Sequence, residues 1–335
     1  MRWSFVVVTP ALGVAGLLVA ACNGDSPTAT SNINAPPIQF SVTPASYAAA
    51  RAVTAHDQKT KMFATIPILE GKTSGQGSRI SQNLVNSPWD LTYNGGPVVT
   101  KATQWNIYVN CKTTSSGCWG TGTLTPRTFL QDLDQSSLID VAAQYLHEDP
   151  TGRYGPVNEM QVSVSIPVNG ITGVPTASNS DIWAILHAAS LVTTKSGYQA
   201  IYHVFLPQGV DMCTGPAICY SPDDPYFFQF CAFHGSVDFG PHWHVLYTLE
   251  PYQFVPGCVL PQQSRVIDGT ASTLSHEFTE LITDPDLDAW YNDLTGNEIG
   301  DLCFTFRNPE SIFDNTYVVQ EEYSNTVHAC TDGAF

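Results

Sequence analysis

Ser275-His276-Glu277-Phe278-Thr279-Glu280-Leu281-Ile282-Thr283-Asp284-Pro285 is the stretch from which the rest of the chain is best read. At about 100° per residue, Leu274, Phe278, Leu281 and Ile282 share one apolar helical face. His276, Glu277, Glu280 and Asp284 share the opposite arc, roughly a quarter of the circumference. The spacing predicts a helix from about Thr270 to Thr283, stopped by Asp284-Pro285. His276 and Glu280 are i,i+4 partners, one turn apart on one side, as in helical metal sites. The familiar zinc helix reads H-E-x-x-H. Here Glu280 fills the fifth position, and a carboxylate is itself a zinc ligand. The plain alternative is an amphipathic helix with a solvated polar face.

The surroundings favour a cation. Between Arg265 and Arg307 there is no Lys or Arg, yet Asp268, Glu277, Glu280, Asp284, Asp286, Asp288, Asp293, Glu298 and Asp301 all lie there. Such a run needs a counter-ion or free solvation, because like charges at helical spacing repel. Glu298-Ile299-Gly300-Asp301-Leu302-Cys303 sets two carboxylates just before a cysteine. A zinc set of His276 and Glu280, completed by Asp301, Glu298 or His234, leaves Glu277 as general base. Ca²⁺ is the alternative ion. However, Asp284, Asp286 and Asp288 make a poor calcium loop, with Ala289 where the turn wants Gly and Thr295 where a Glu should close it. His242-Trp243-His244 offers two imidazoles on one strand face, although a half-exposed pair beside a core Trp is the blander account. No G-x-S-x-G elbow is present to support a serine nucleophile.

Working outward, Trp105–Cys111 reads as a buried strand, Pro126–Leu146 as helix with a break near Ser136, and Met160–Val168 as an alternating strand. Asp181–Val192 is a helix capped by Asp181 or Ser180. Ala200–Leu206, Phe228–Val237 and His242–Leu249 are further strands, the last two separated by Gly240-Pro241. This order predicts one mixed α/β domain over residues 89–335.

Ahead of it, Met1-Arg2, the uncharged run Trp3–Ala21 and Val19-Ala20-Ala21-Cys22 form a lipoprotein signal over residues 1–21, with Cys22 as the lipidation site. Residues 22–88 read as a Ser/Thr/Pro/Gly-rich tether, with Tyr47–Ala50 a possible helix start. The chain is therefore expected to be exported and held at the outer membrane or cell surface. Setting Cys22 aside from nine cysteines leaves an even set. The pairs expected are Cys303–Cys330, Cys231–Cys258, Cys213–Cys219 and Cys111–Cys118, with Cys213–Cys231 as an alternative. A net charge of −17 argues against a nucleic-acid partner.

At these residues the chain resembles the EXORDIUM-like (phosphate-induced protein) family of secreted plant proteins. The likeness rests on His276–Leu281, Pro285, Ala289-Trp290-Tyr291, Glu298–Cys303, Cys231-Ala-Phe-His234-Gly, Tyr93–Val99 and the terminal Cys330. It departs at Asp284, where Asn is expected, at Phe304-Thr-Phe-Arg307 in place of a Gly-rich stretch, and in the additional Cys111 and Cys118. The resemblance implies an extracellular, wall-associated role and no defined reaction. Two functions follow: a zincin-like, peptidase-like hydrolase, or a non-catalytic surface protein that binds polysaccharide or a protein partner and carries a structural metal.

Overall fold

A computed structural model describes residues 36–53, 87–111 and 124–333, apart from 171, 217, 223–227, 254–257, 259–264, 304–305 and 313–314. The signal, Cys22 and Cys118 lie outside the described residues, and so does the Cys111–Cys118 pair as a pair. The chain forms a mixed α/β domain around a six-stranded sheet. Its strands are β1 (Ile38–Phe40), β2 (Thr103–Val109), β3 (Val157–Val162), β4 (Ala200–Phe205), β5 (Phe233–Asp238) and β6 (His244–Glu250), in the order β1-β3-β2-β4-β6-β5. The first five run parallel and β5 closes the edge antiparallel to β6. Central β4 is buried at every residue, as expected for a parallel strand covered on both faces.

Helices α1 (Pro44–Val53) and α3 (Asn179–Thr193) cover one face. Ile38–Phe40 and Pro44–Val53, expected within the tether, therefore belong to the folded domain. Ile38 pairs with Met160, and Ala50 and Val53 are buried in one core with Trp183 and Ile185. Tyr47, Ala50 and Val53 recur at helical spacing, a stripe too short to stand out among Ser, Thr and Pro. The α3 cap is Ser178, with Asp181 completing a capping box from three residues inside. The strand expected to reach Val168 stops at Val162. Its neighbour β2 ends at Val109, and the next residue, Asn110, has φ 53° and a side chain that bonds both the N–H and the C=O of Val164.

On the other face lie α2 (Pro126–Leu133), two short turns of helix over 137–146, and α4 (Val266–Thr283). The break expected near Ser136 is present. The α4 apolar face (Leu274, Phe278, Leu281, Ile282) packs with Ile201, Phe205 and Leu246 of the sheet and with Tyr317 and Val319 of β7 (Asn315–Gln320). Cys213–Cys219, Cys231–Cys258 and Cys303–Cys330 are bonded, so the Cys213–Cys231 alternative does not form. These disulfides fit an oxidising compartment. No helix among the described residues is long and apolar enough to cross a membrane.

Candidate metal centre

Every residue of α4 from Ile267 to Thr283 is buried, so the polar arc is not a solvated face. Its hydroxyls tolerate this by bonding carbonyls of the helix itself: Thr273 to Gly269, Thr279 to Ser275, and Thr283 to Thr279. Glu277 and Glu280 have no such outlet. They turn instead toward β5, a loop at 298–301 and the end of β7.

Cys231, bonded to Cys258, anchors the start of β5, and His234 follows three residues later. Cys303–Cys330 fixes the loop that carries Glu298 and Asp301. His234 Nδ1 is 3.3 Å from Glu277 Oε2 and 3.5 Å from Glu280 Oε2, while its Nε2 is 3.5 Å from Glu298 Oε1. His276 Nε2 is 3.2 Å from Glu280 Oε2 and 3.9 Å from Asp301 Oδ1. All five ligand candidates from the sequence, together with Glu277, thus meet in one place. The backbone holds them there. Asp301 N–H donates to Glu280 Oε1 at 3.1 Å and Glu298 N–H to Asp301 Oδ2 at 3.2 Å. The Gln320 amide, bonded to the Gly300 carbonyl at 2.6 Å, touches His276 Nδ1 at 2.9 Å and fixes the ring. Gly300 is required by this approach, since a Cβ there would lie 2.4 Å from His276 Nδ1.

Two donor sets result: His234, Glu280 and Glu298, and His276, Glu280 and Asp301, with the donor atoms of each set within 4.8 Å of one another. Two donors about 2.0–2.1 Å from a tetrahedral ion sit about 3.3 Å apart, close to most of the separations seen. His234 Nε2, His276 Nε2, Glu280 Oε2 and both Glu298 oxygens are buried without a hydrogen-bond partner among the described residues. Natural interiors rarely leave such atoms bare unless an ion or a water belongs there. The buried His, Glu and Asp groups are therefore able to hold a metal ion.

Protons are the alternative occupants, and the electrostatics shows where they sit. Burial opposes charge on His234, but Glu298, Glu277 and Glu280 overcome it and hold its pKa well above the ordinary histidine value. His276 behaves alike through Glu280, Glu277 and Asp301. Burial also raises Glu280, yet the two imidazoles prevail and bring it to about 2. Burial raises Asp301 to about 7 and Glu298 well above the usual carboxylate range.

Three participants escape the sequence reading. Gln320 positions His276. Glu250 accepts from Thr273 Oγ1 at 3.0 Å and has one bare oxygen, and Glu322 is fully buried with both oxygens bare. An acid closing the apolar run Val245–Glu250 was the available signal. Other candidates stay apart. His242 is exposed, and His244 pairs with Asp238 at 2.8 Å and Asp286 at 3.1 Å. Asp284 accepts from Ala289 N–H while Asp286 accepts from Tyr198, so these two aspartates have separate partners. Comparison with known proteins finds no matching family model, no matching curated protein and no matching solved structure.

Proposed function

We propose that the protein is an exported, surface-held metallohydrolase of the zincin kind, acting on extracellular peptide. What carries this reading is the set of bare donor atoms, two imidazole nitrogens and several carboxylate oxygens, at ion-like spacing inside a buried space. Imidazole donors favour Zn²⁺ over Ca²⁺, which takes oxygen ligands. Zincins pair a His-Glu helix with a mixed sheet, and α4 lies on such a sheet with β5 at its edge. The motif resemblance to EXORDIUM-like proteins supports the surface location, and Cys22 is the proposed lipid anchor. A bound dication supplies Lewis acidity toward a carbonyl and makes a neighbouring water more acidic. His276, Glu280, Glu298, Asp301 and His234 are the groups able to hold it. Glu277 belongs to neither donor set, and its carboxyl group lies beside them, 3.3 Å from His234 Nδ1, as the candidate proton acceptor, with burial raising its pKa above the ordinary carboxylate value.

One observation favours a second reading. The donor side chains are at most 5% exposed, as in closed structural sites, whereas catalytic zinc keeps an open position. In that reading the metal braces a non-catalytic polysaccharide- or protein-binding module. Peptide cleavage by the zinc-loaded protein, lost in Glu277→Gln with metal content and melting temperature retained, is the outcome expected for the hydrolase. Bound metal with no cleavage of a peptide library by the wild type selects the structural reading, and absence of bound metal removes both. For the anchor, labelled palmitate should enter the intact chain expressed in a bacterial host and not Cys22→Ala. Equal labelling of the two would reject it.

A further inference from the structure

We infer that the centre holds two divalent ions bridged by Glu280. This rests on the metal-binding reading above and goes beyond it in stoichiometry and in the role of one residue. The two donor sets share Glu280 and nothing else. Glu280 Oε1 is already engaged by the Asp301 N–H, which leaves Oε2 as the atom common to both sides. That oxygen has no hydrogen-bond partner among the described residues and lies 3.2 Å from His276 Nε2 and 3.5 Å from His234 Nδ1.

A single ion does not satisfy this geometry. Placed with His276 and Asp301, it leaves His234 Nε2 and both Glu298 oxygens bare in a buried space. Placed with His234 and Glu298, it strands His276 Nε2. Each stranded group costs roughly 1–3 kcal/mol, more when charged.

Charge gives the same answer independently. Glu277, Glu280, Glu298 and Asp301 are four buried carboxyl groups at the centre. Among the described residues, their ion pairs are with His234 and His276 alone, and an imidazole that ligates a metal is neutral. One dication then offsets half of the four charges. Two ions bridged by a carboxylate, about 3.5–4 Å apart as in known two-metal sites, offset all four. Glu250 and Glu322 belong to neither donor set.

The test uses the full chain, stripped with a chelator and reloaded with Zn²⁺ or Mn²⁺. Metal analysis of the wild type should give two ions per chain. The Mn²⁺ form should show an exchange-coupled electron paramagnetic resonance signal, which requires a shared ligand. Glu298→Gln and Asp301→Asn should each reduce the content to one ion and abolish the coupling, and Glu280→Gln should weaken both sites together. One ion per chain, or two with uncoupled spectra, overturns the bridged pair and leaves the single-metal reading in place. No bound ion overturns both. The wild-type spectrum decides the matter even where a variant fails to fold.

Discussion

His203 and His234 stand in one row across the sheet, with Thr248 of β6 paired to both, yet they meet opposite fates. His203 on central β4 is fully buried, and neutral groups satisfy both of its nitrogens. Thr248 Oγ1 lies 2.9 Å from Nδ1 and Gln104 Oε1 lies 2.9 Å from Nε2. With no carboxylate to stabilise a charge, burial pushes its pKa down to about 3. His234 is as deeply buried, but it lies on the edge strand, where Glu277 and Glu280 of α4 and Glu298 of the 298–301 loop reach it. Three glutamates surround it, and one nitrogen is bare. Burial alone therefore does not mark a functional histidine. The residues supplied from outside the sheet do.

The largest consequence of this difference is a pH dependence confined to the His234 side. In the metal-free protein, His234 and His276 have folded pKa values raised above the unfolded ones, and Asp301 rises to about 7. Each such group is protonated in the folded state where the unfolded chain has released its proton. Its stabilising contribution is full at low pH and is lost as pH rises through the folded value. His203 has the opposite sign, losing stability only below about 6.5, where the unfolded imidazole charges. Between pH 6.5 and 8.5 His203 is silent. The metal-free protein should then lose stability at about 1.4 kcal/mol per pH unit for each excess proton held. Saturating zinc should flatten or reverse that slope, because the ligands bind metal only when deprotonated. Denaturant titrations across this range, with and without zinc, measure it. A metal-free stability that stays flat or rises would mean the cluster does not hold its protons as described.

Much of this contrast was legible in the sequence, and the remainder was hidden for physical reasons. Periodicity placed His276, Glu277 and Glu280 on one arc, and the short spacing gave Cys213–Cys219, while Cys231–Cys258 and Cys303–Cys330, each 27 residues apart, were also among the expected pairs. Periodicity shows which residues share a face but not what covers that face. A polar arc over water and one over Gln320 and Glu322 read identically. Those partners lie 40 to 46 residues beyond His276, Glu277 and Glu280, and chain folding alone brings them there. His203 was invisible for the same reason. In Ala-Ile-Tyr-His-Val-Phe nothing separates a satisfied histidine from a ligand until Gln104 and Thr248 are in place. The composition of residues 22–88 likewise masked β1 and α1, whose few apolar residues acquire meaning only against β3 and α3.

The smaller effect, and the sharper test of the comparison, is His203→Leu. The leucine keeps the site apolar toward Phe278, which the imidazole now meets at 5.9 Å between ring centroids. It leaves Thr248 Oγ1 and Gln104 Oε1 without their imidazole partner in a region with no exposure. Roughly 1–3 kcal/mol is lost for Gln104 Oε1, which is left unpaired, and the loss should be equal with and without zinc. The rise in melting temperature on adding zinc should therefore match the wild type, as should the metal content. His234→Leu should do the reverse, lowering the metal content and shrinking that rise. Thr248 gives the prediction its point of failure, since its hydroxyl also hydrogen-bonds Glu250 beside Glu277. If His203→Leu altered the zinc-induced shift by more than the few tenths of a kcal/mol expected of independent sites, the row would be one coupled network. His203 would then position the centre through Thr248 and Glu250 rather than merely fill the sheet.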